Sequence, residues 1–188
     1  MFIALHIFSS KNSWSSPLGG LYFSFNCTCR EAKNLPFIQY VICLAVIEAI
    51  SREASSVLLE NGITSGFIEN LKIKWPNDIY YKNIKIGGIL CHSSYSDGVY
   101  HVTNGIGLNL NNMIGKEKLL AKILEYFEDY YEIFDTKGFK ALEPLYLSHW
   151  LHSRQKVNFR EFDSQKSIAL QIQGLSSTGC LLAGRKQR

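Results

Sequence analysis

Cysteine pairs, an excess of one charge and long hydrophobic runs are all missing from this 188-residue sequence, and each absence narrows what it can be. Cys27, Cys29, Cys43, Cys91 and Cys180 are odd in number and include no CxxC spacing. That argues against a zinc site or a disulfide framework and fits a reducing intracellular setting, read here as cytoplasmic with an organellar form left open. Lys and Arg number 20 against 16 Asp and Glu, and three of the 20 (Arg185, Lys186 and Arg188) stand among the last four residues, so elsewhere 17 face 16. Without a basic stripe, nucleic-acid binding is not indicated. No apolar run reaches the length of a membrane span. The opening Phe2 to Phe8 is apolar but short, lacks a basic lead-in and carries His6, so it reads as a strand and not as a secretion signal. Low-complexity segments and repeats are also missing. A hydrophobic fraction of 46% and an aromatic fraction of 13% supply a real core for one ordinary domain with a small appendage.

The periodicities divide the chain. Ser9 to Gly20 is a loop by composition. Leu21 to Cys29 alternates, with Leu21, Phe23, Phe25, Cys27 and Cys29 set against Tyr22, Ser24, Asn26 and Thr28, which is a half-buried strand. Asn34 and Pro36 open a helix over Phe37 to Leu59 that is apolar nearly all round, and Asn61-Gly62 stops it. A second helix, Lys116 to Phe134, places Leu119, Ile123, Phe127, Tyr131 and Phe134 along one side. Phe139 to Leu151 reads as a third, interrupted near its start by Pro144. From Lys156 the pattern changes to short strands, Val157 to Phe162, Ser167 to Gln173 and Cys180 to Ala183, the last after a Ser176-to-Gly179 turn.

Leu71 to Leu110 is where chemistry concentrates. Leu71, Ile73 and Trp75 alternate with Lys72 and Lys74, and Pro76 then ends the ladder, so Asn77 and Asp78 are expected at a strand edge with their side chains free. Ile79 to Tyr81, a turn at Lys82-Asn83, and Ile84 to Cys91 form a hairpin; Asp97-Gly98 turns a second hairpin into Val99 to Leu110. Gly87 and Gly88, and Gly105 and Gly107, interrupt strands that glycine weakens, which suggests a bulge or a flat ligand against bare backbone. Asn109 continues the spacing of two and adds an amide that can donate and accept, as a purine edge requires. Lys85, between Ile84 and Ile86, is either a snorkelling surface lysine or a cation aimed into a pocket. Asp78 is either a turn-capping carboxylate or a site residue.

In order and spacing, Lys74-Trp75-Pro76-Asn77-Asp78, Lys85-Ile86-Gly87-Gly88-Ile89-Leu90 and Asn104-Gly105-Ile106-Gly107-Leu108-Asn109 resemble the signature blocks of biotin protein ligases, in particular the eukaryotic holocarboxylase synthetase type. Trp14-Ser15-Ser16-Pro17 with Leu21-Tyr22-Phe23-Ser24-Phe25, Pro36 to Tyr40, and Tyr146 to Val157 with Trp150 to Ser153 extend the resemblance from Trp14 to Ala183. It implies an α/β (α+β) catalytic domain over residues 1–151, a mixed sheet with packed helices, and an incomplete SH3-like β domain over 152–188. It further implies ATP-dependent activation of biotin to biotinyl-5'-AMP, with Mg²⁺, and transfer to a lysine of the biotin carboxyl carrier domains of carboxylases. By position, Lys85 matches the family's catalytic lysine, where a fixed ammonium in a dry pocket stabilises developing charge. Asn77 and Asp78 match residues near the reacting group, Asp78 through Mg²⁺. Gly88, Leu90, Gly105 and Gly107 would meet biotin, Asn109 the adenine, and Trp14 would cover the adenylate. Strict alternation puts Lys85 and Gly88 on opposite faces, so a shared site requires a bulge or kink at Gly87-Gly88.

Departures from the pattern set the alternatives. Ile7 to Asn12 occupies the stretch where the family carries a Gly-Arg-Gly-Arg loop, and it has neither arginine nor glycine. The earlier Ser/Thr-Asn segment is absent, the Asn109-to-Lys116 connection is brief, and the resemblance stops partway through the C-terminal domain, as in an alternative or truncated product. Loss of bidentate phosphate contacts costs on the order of several kcal/mol in the transition state, which predicts weak or no activity. A non-catalytic ligase-fold protein that binds a carrier or ligase partner is therefore the second reading. A lipoate or octanoate transferase, which lacks the KWPND block, is the third.

Overall fold

The computed structural model describes residues 2–5, 18–60, 68–110, 115–160 and 167–185. Their elements are β1 (Phe2–Leu5), β2 (Leu21–Cys29), α1 (Leu35–Glu60), β3 (Leu71–Lys74), β4 (Asp78–Tyr81), β5 (Ile84–Ser96), β6 (Val99–Leu108), α2 (Lys116–Lys137), α3 (Glu143–His149), β7 (Lys156–Arg160), β8 (Ser167–Leu175) and β9 (Leu181–Gly184). They form two compact units, residues 15–150 and residues 1–14 with 151–188.

The larger unit is α+β. Its five strands run in the order β2-β6-β5-β4-β3 and every pairing is antiparallel. The mixed character expected of the sheet reduces to one isolated parallel bridge, between Ile73 and Trp150. One sheet face carries Leu71, Ile73, Ile79, Ile89, Val102, Ile106 and Leu108, all buried, because alternation turns every second residue inward. Against this face lies α1, whose Ile38 and Val41 to Val46 are buried, as its all-round apolarity requires. Ala32–Ser55 is long and apolar enough to cross a membrane, so the expectation that no segment reaches that length fails here; 72% of its most apolar stretch is buried in the fold. Packed on α1, α2 buries Leu119, Ile123, Phe127 and Phe134 and sets Phe127 edge-on to Phe25, with ring centroids 4.8 Å apart. Pro144 does not interrupt a helix; a 3₁₀ turn, Phe139–Ala141, comes first and Pro144 sits in the opening turn of α3, where its missing N–H is not needed.

The smaller unit is a four-stranded antiparallel sheet in the order β1-β9-β8-β7. Here the expected division is corrected, since β1 was assigned to the first domain and instead pairs with β9, Phe2 opposite Gly184 and Leu5 opposite Leu181. An unpaired edge of β9 offers its main-chain groups to any extended apolar segment, and Phe2 to Leu5 is one. The Ser176-to-Gly179 turn is closed by Ser176, whose Oγ accepts from the N–H groups of Thr178 and Cys180.

Candidate functional site

The Trp75-Pro76-Asn77 turn between β3 and β4 is held on three sides. The Trp75 indole N–H donates to the Tyr40 hydroxyl at 2.7 Å, and the Tyr146 hydroxyl donates to the Pro76 carbonyl at 3.2 Å. Asn77 donates its side-chain amide to the Ile89 carbonyl at 2.7 Å and accepts from the Ile89 N–H at 3.0 Å through its own carbonyl. The expectation that this turn leaves both side chains free is therefore corrected: the Asn77 amide is engaged in fastening the turn to β5. Asp78 is delivered at the first position of β4 and pairs with Lys85, Oδ1 to Nζ 2.5 Å.

Lys85 and Gly88 share a face because β5 carries an extra residue. Tyr80 stands opposite Lys85 and Ile79 opposite Gly87, which leaves Ile86 without a partner in β4. The bulge thus lies one residue before the glycine pair, through which the ladder is regular. Gly87, the next residue, is closely packed against β6. A Cβ there would come within 2.4 Å of Leu108 Cδ2 and 2.9 Å of the Gly107 carbonyl, so β5 and β6 already touch at that point on the helix side. One inserted residue reverses the parity of everything before it. Asp78, Tyr80, Lys85 and Gly88 consequently point away from the helices.

Register extends this face across the sheet. Lys74, Asp78, Gly88, Gly107 and Tyr22 follow one another over the five strands, with Leu90, Gly105 and Ser24 in the adjacent row. Leu90 is 75% exposed. At Gly105 a Cβ would meet only the Leu90 carbonyl, at 3.7 Å, so internal packing does not demand glycine there. The two rows make a bare floor with a cation and a carboxylate at one end. Three strand spacings away, about 14 Å, Tyr22 closes the other end by donating its hydroxyl to Asn109 Oδ1 at 2.6 Å. The Asn109 N–H is bonded to the carbonyl of the bulge residue Ile86 at 2.7 Å. Because Lys85 stands level with Tyr80 while its ammonium reaches Asp78, the side chain leans toward Gly88 and the floor. Such a surface can lay an extended ligand along bare main chain, neutralise an anionic group at one end and hydrogen-bond a ring at the other.

Comparison with known proteins decides the family. Residues 9–109 match the Biotin/lipoate A/B protein ligase family. The chain belongs to it. It is 37% identical over 195 residues to biotin–protein ligase 2 of Arabidopsis thaliana, covering 93% of this chain and 57% of that one. Its identity to the chloroplastic biotin–protein ligase 1 of the same plant is 36%, covering 93% and 51%. The chain thus spans about half the length of the curated relatives it matches. Among solved structures it is similar to the biotin protein ligase of Aquifex aeolicus in complex with biotin and ATP, at 26% identity and a TM-score of 0.61, covering 90% of this chain and 73% of that one.

Within this ligase-family frame, Lys85, Asp78, Gly88, Leu90, Gly105, Gly107 and Asn109 come together on one face, whereas Asn77 meets β5 through its side chain. Trp14 and the Ile7-to-Asn12 stretch lie outside the described residues, as does Asn61-Gly62. In the sequence Tyr22 stands only on the polar side of β2 and within the Leu21-to-Phe25 block of the resemblance, with no site role; spacing alone does not reveal a partner 87 residues away. A cavity of about 210 Å³ lined by Leu35, Pro36, Gln39, Cys91, Ser93 and Val102 lies on the helix side and contains none of these residues. There, burial and then Cys27 push the Cys91 thiol up to about 12, which keeps it protonated. Among the described residues no three His, Cys, Asp or Glu side chains gather to hold a metal. A Mg²⁺ ion beside Asp78 would therefore take most of its oxygens from nucleotide phosphates and water, as that ion commonly does.

Proposed function

We propose that this chain carries the catalytic unit of a biotin–protein ligase. A carboxylate oxygen of biotin attacks the α-phosphorus of ATP, the bond to the β-phosphate oxygen breaks, and pyrophosphate leaves. The ε-amine of a lysine on a biotin carboxyl carrier domain then attacks the acyl carbon; the acyl–phosphate bond breaks, AMP departs, and the amine gives up a proton. Lys85 stabilises negative charge on the carboxylate, the α-phosphate and the tetrahedral centre in turn, and Asp78 keeps its ammonium at the edge of the floor. Gly88, Leu90, Gly105 and Gly107 carry the biotin, and Asn109 reads the adenine. Asp78 would be the protein oxygen that holds a Mg²⁺ ion, which would supply charge neutralisation at the phosphates when bound. The observation that carries this reading is the bulge at Ile86, which puts the cation and the glycine floor on one face. The names of the similar proteins favour biotin over lipoate.

Incubating the chain with biotin, ATP, Mg²⁺ and an apo-carrier domain tests it. Avidin-detectable label is expected, weak because the arginine loop is missing, and reduced by a further factor of roughly 10² to 10³ in Lys85→Ala. Biotin binding without label would instead support the non-catalytic carrier-binding reading, which the arginine-free Ile7-to-Asn12 stretch favours. Label with lipoate or octanoate in place of biotin would overturn the substrate.

A further inference from the structure

The contact between Tyr22 and Asn109 has a definite polarity. At 2.6 Å it falls in the O–H···O range, below the usual N–H···O separation of about 2.9–3.0 Å, so the Asn109 amide turns its oxygen and not its nitrogen toward the hydroxyl. Its surroundings are built for this. The main chain of Asn109 is tied to Ile86, and the Tyr22 ring lies back over Gly20, where a Cβ would come within 2.0 Å of the hydroxyl oxygen and 2.3 Å of Cζ. Only a residue without a side chain leaves the ring that position.

We infer that Tyr22 is a positioning residue that locks the Asn109 amide in one orientation and so selects a 6-aminopurine over a 6-oxopurine; this rests on Asn109 being the purine contact. With the hydroxyl on one lone pair, the amide presents its remaining oxygen lone pair beside two N–H donors. Adenine offers the matching pair, an amino donor next to a ring-nitrogen acceptor. Hypoxanthine places an acceptor at position 6, against Oδ1. To accommodate it the amide must turn over, exchanging a short O–H···O bond for a longer N–H···O one.

Equilibrium binding of ATP and of ITP to the full chain, by calorimetry without biotin or carrier, tests this independently of turnover. Wild type is expected to prefer ATP, and Tyr22→Phe to shrink the ATP-to-ITP affinity ratio by about three- to tenfold, the range of one net hydrogen bond. Gly20→Ala, which keeps the hydroxyl but displaces the ring, is expected to shrink it as well. An undiminished ratio in Tyr22→Phe overturns the lock, as does a wild type that binds both nucleotides alike or neither. Carrier labelling scored in parallel separates the two claims: label that depends on Lys85, with a ratio that ignores Tyr22, sinks the lock and leaves the ligase standing.

Discussion

Alanine at Gly87 and alanine at Gly105 are the same change on neighbouring strands, yet they should fail in opposite ways. Neither glycine has a positive φ, so both backbones accept a side chain. At Gly87 the new Cβ would stand 2.4 Å from Leu108 Cδ2 and 2.9 Å from a main-chain oxygen; Leu108 is fully buried and cannot swing away. Overpacking of this kind costs about 1–3 kcal/mol, or about 2–12 °C in Tm for a domain of this size. At Gly105 the Cβ has only the Leu90 carbonyl, at an ordinary 3.7 Å. Stability should stay within about 0.5 kcal/mol, while the methyl group stands on the floor and lowers biotin affinity at least about tenfold, equal to 1.4 kcal/mol. Thermal melts and biotin titration of the two variants give the result. The assignment of the floor is refuted if Gly105→Ala melts as low as Gly87→Ala, or binds biotin as tightly as wild type.

Other outcomes follow from single contacts. Asn77→Ala removes the amide from the Ile89 carbonyl and should cost about 0.5–1.5 kcal/mol in urea denaturation, loosening the turn that delivers Asp78. Burial, and then Lys72, hold the His149 imidazole below its ordinary value of 6.5, so the unfolded chain takes up the proton first. Wild type should lose stability relative to His149→Gln as pH falls below about 6.5, and a flat difference between the two over that range would refute the burial argument. Lys85→Arg keeps the charge but not the ammonium's compact shape, and it should recover little of the label lost in Lys85→Ala.

Much of the sheet was legible because alternation is a local property. Tyr22 against Phe23, Lys72 against Ile73 and Gly105 against Ile106 each declare a face from two residues, and the Asp97-Gly98 turn, with both residues at positive φ, announces its hairpin. The α1 helix was legible from its apolar surface, although the same apolarity hid that it is long enough to cross a bilayer. What could not be read depends on distant partners. The place of the bulge shows only in the register of β5 against β4, and β1 finds β9 across nearly the whole sequence. Asn77 is a reactive-looking amide until the Ile89 carbonyl is seen beside it. Pro144 reads as a breaker, and only the preceding 3₁₀ turn shows it opening a helix.

The kink in β5 joins two ends of the ligand floor that would otherwise vary separately. Lys85 precedes Ile86 in the chain, and Asn109 hangs from the Ile86 carbonyl. Whatever straightens that one residue moves the Lys85 ammonium and the Asn109 amide together. If the proposed ligase reading holds, defects in handling the acid and defects in handling the nucleotide should therefore be inherited as a pair by variants of this position, though neither substrate need touch it.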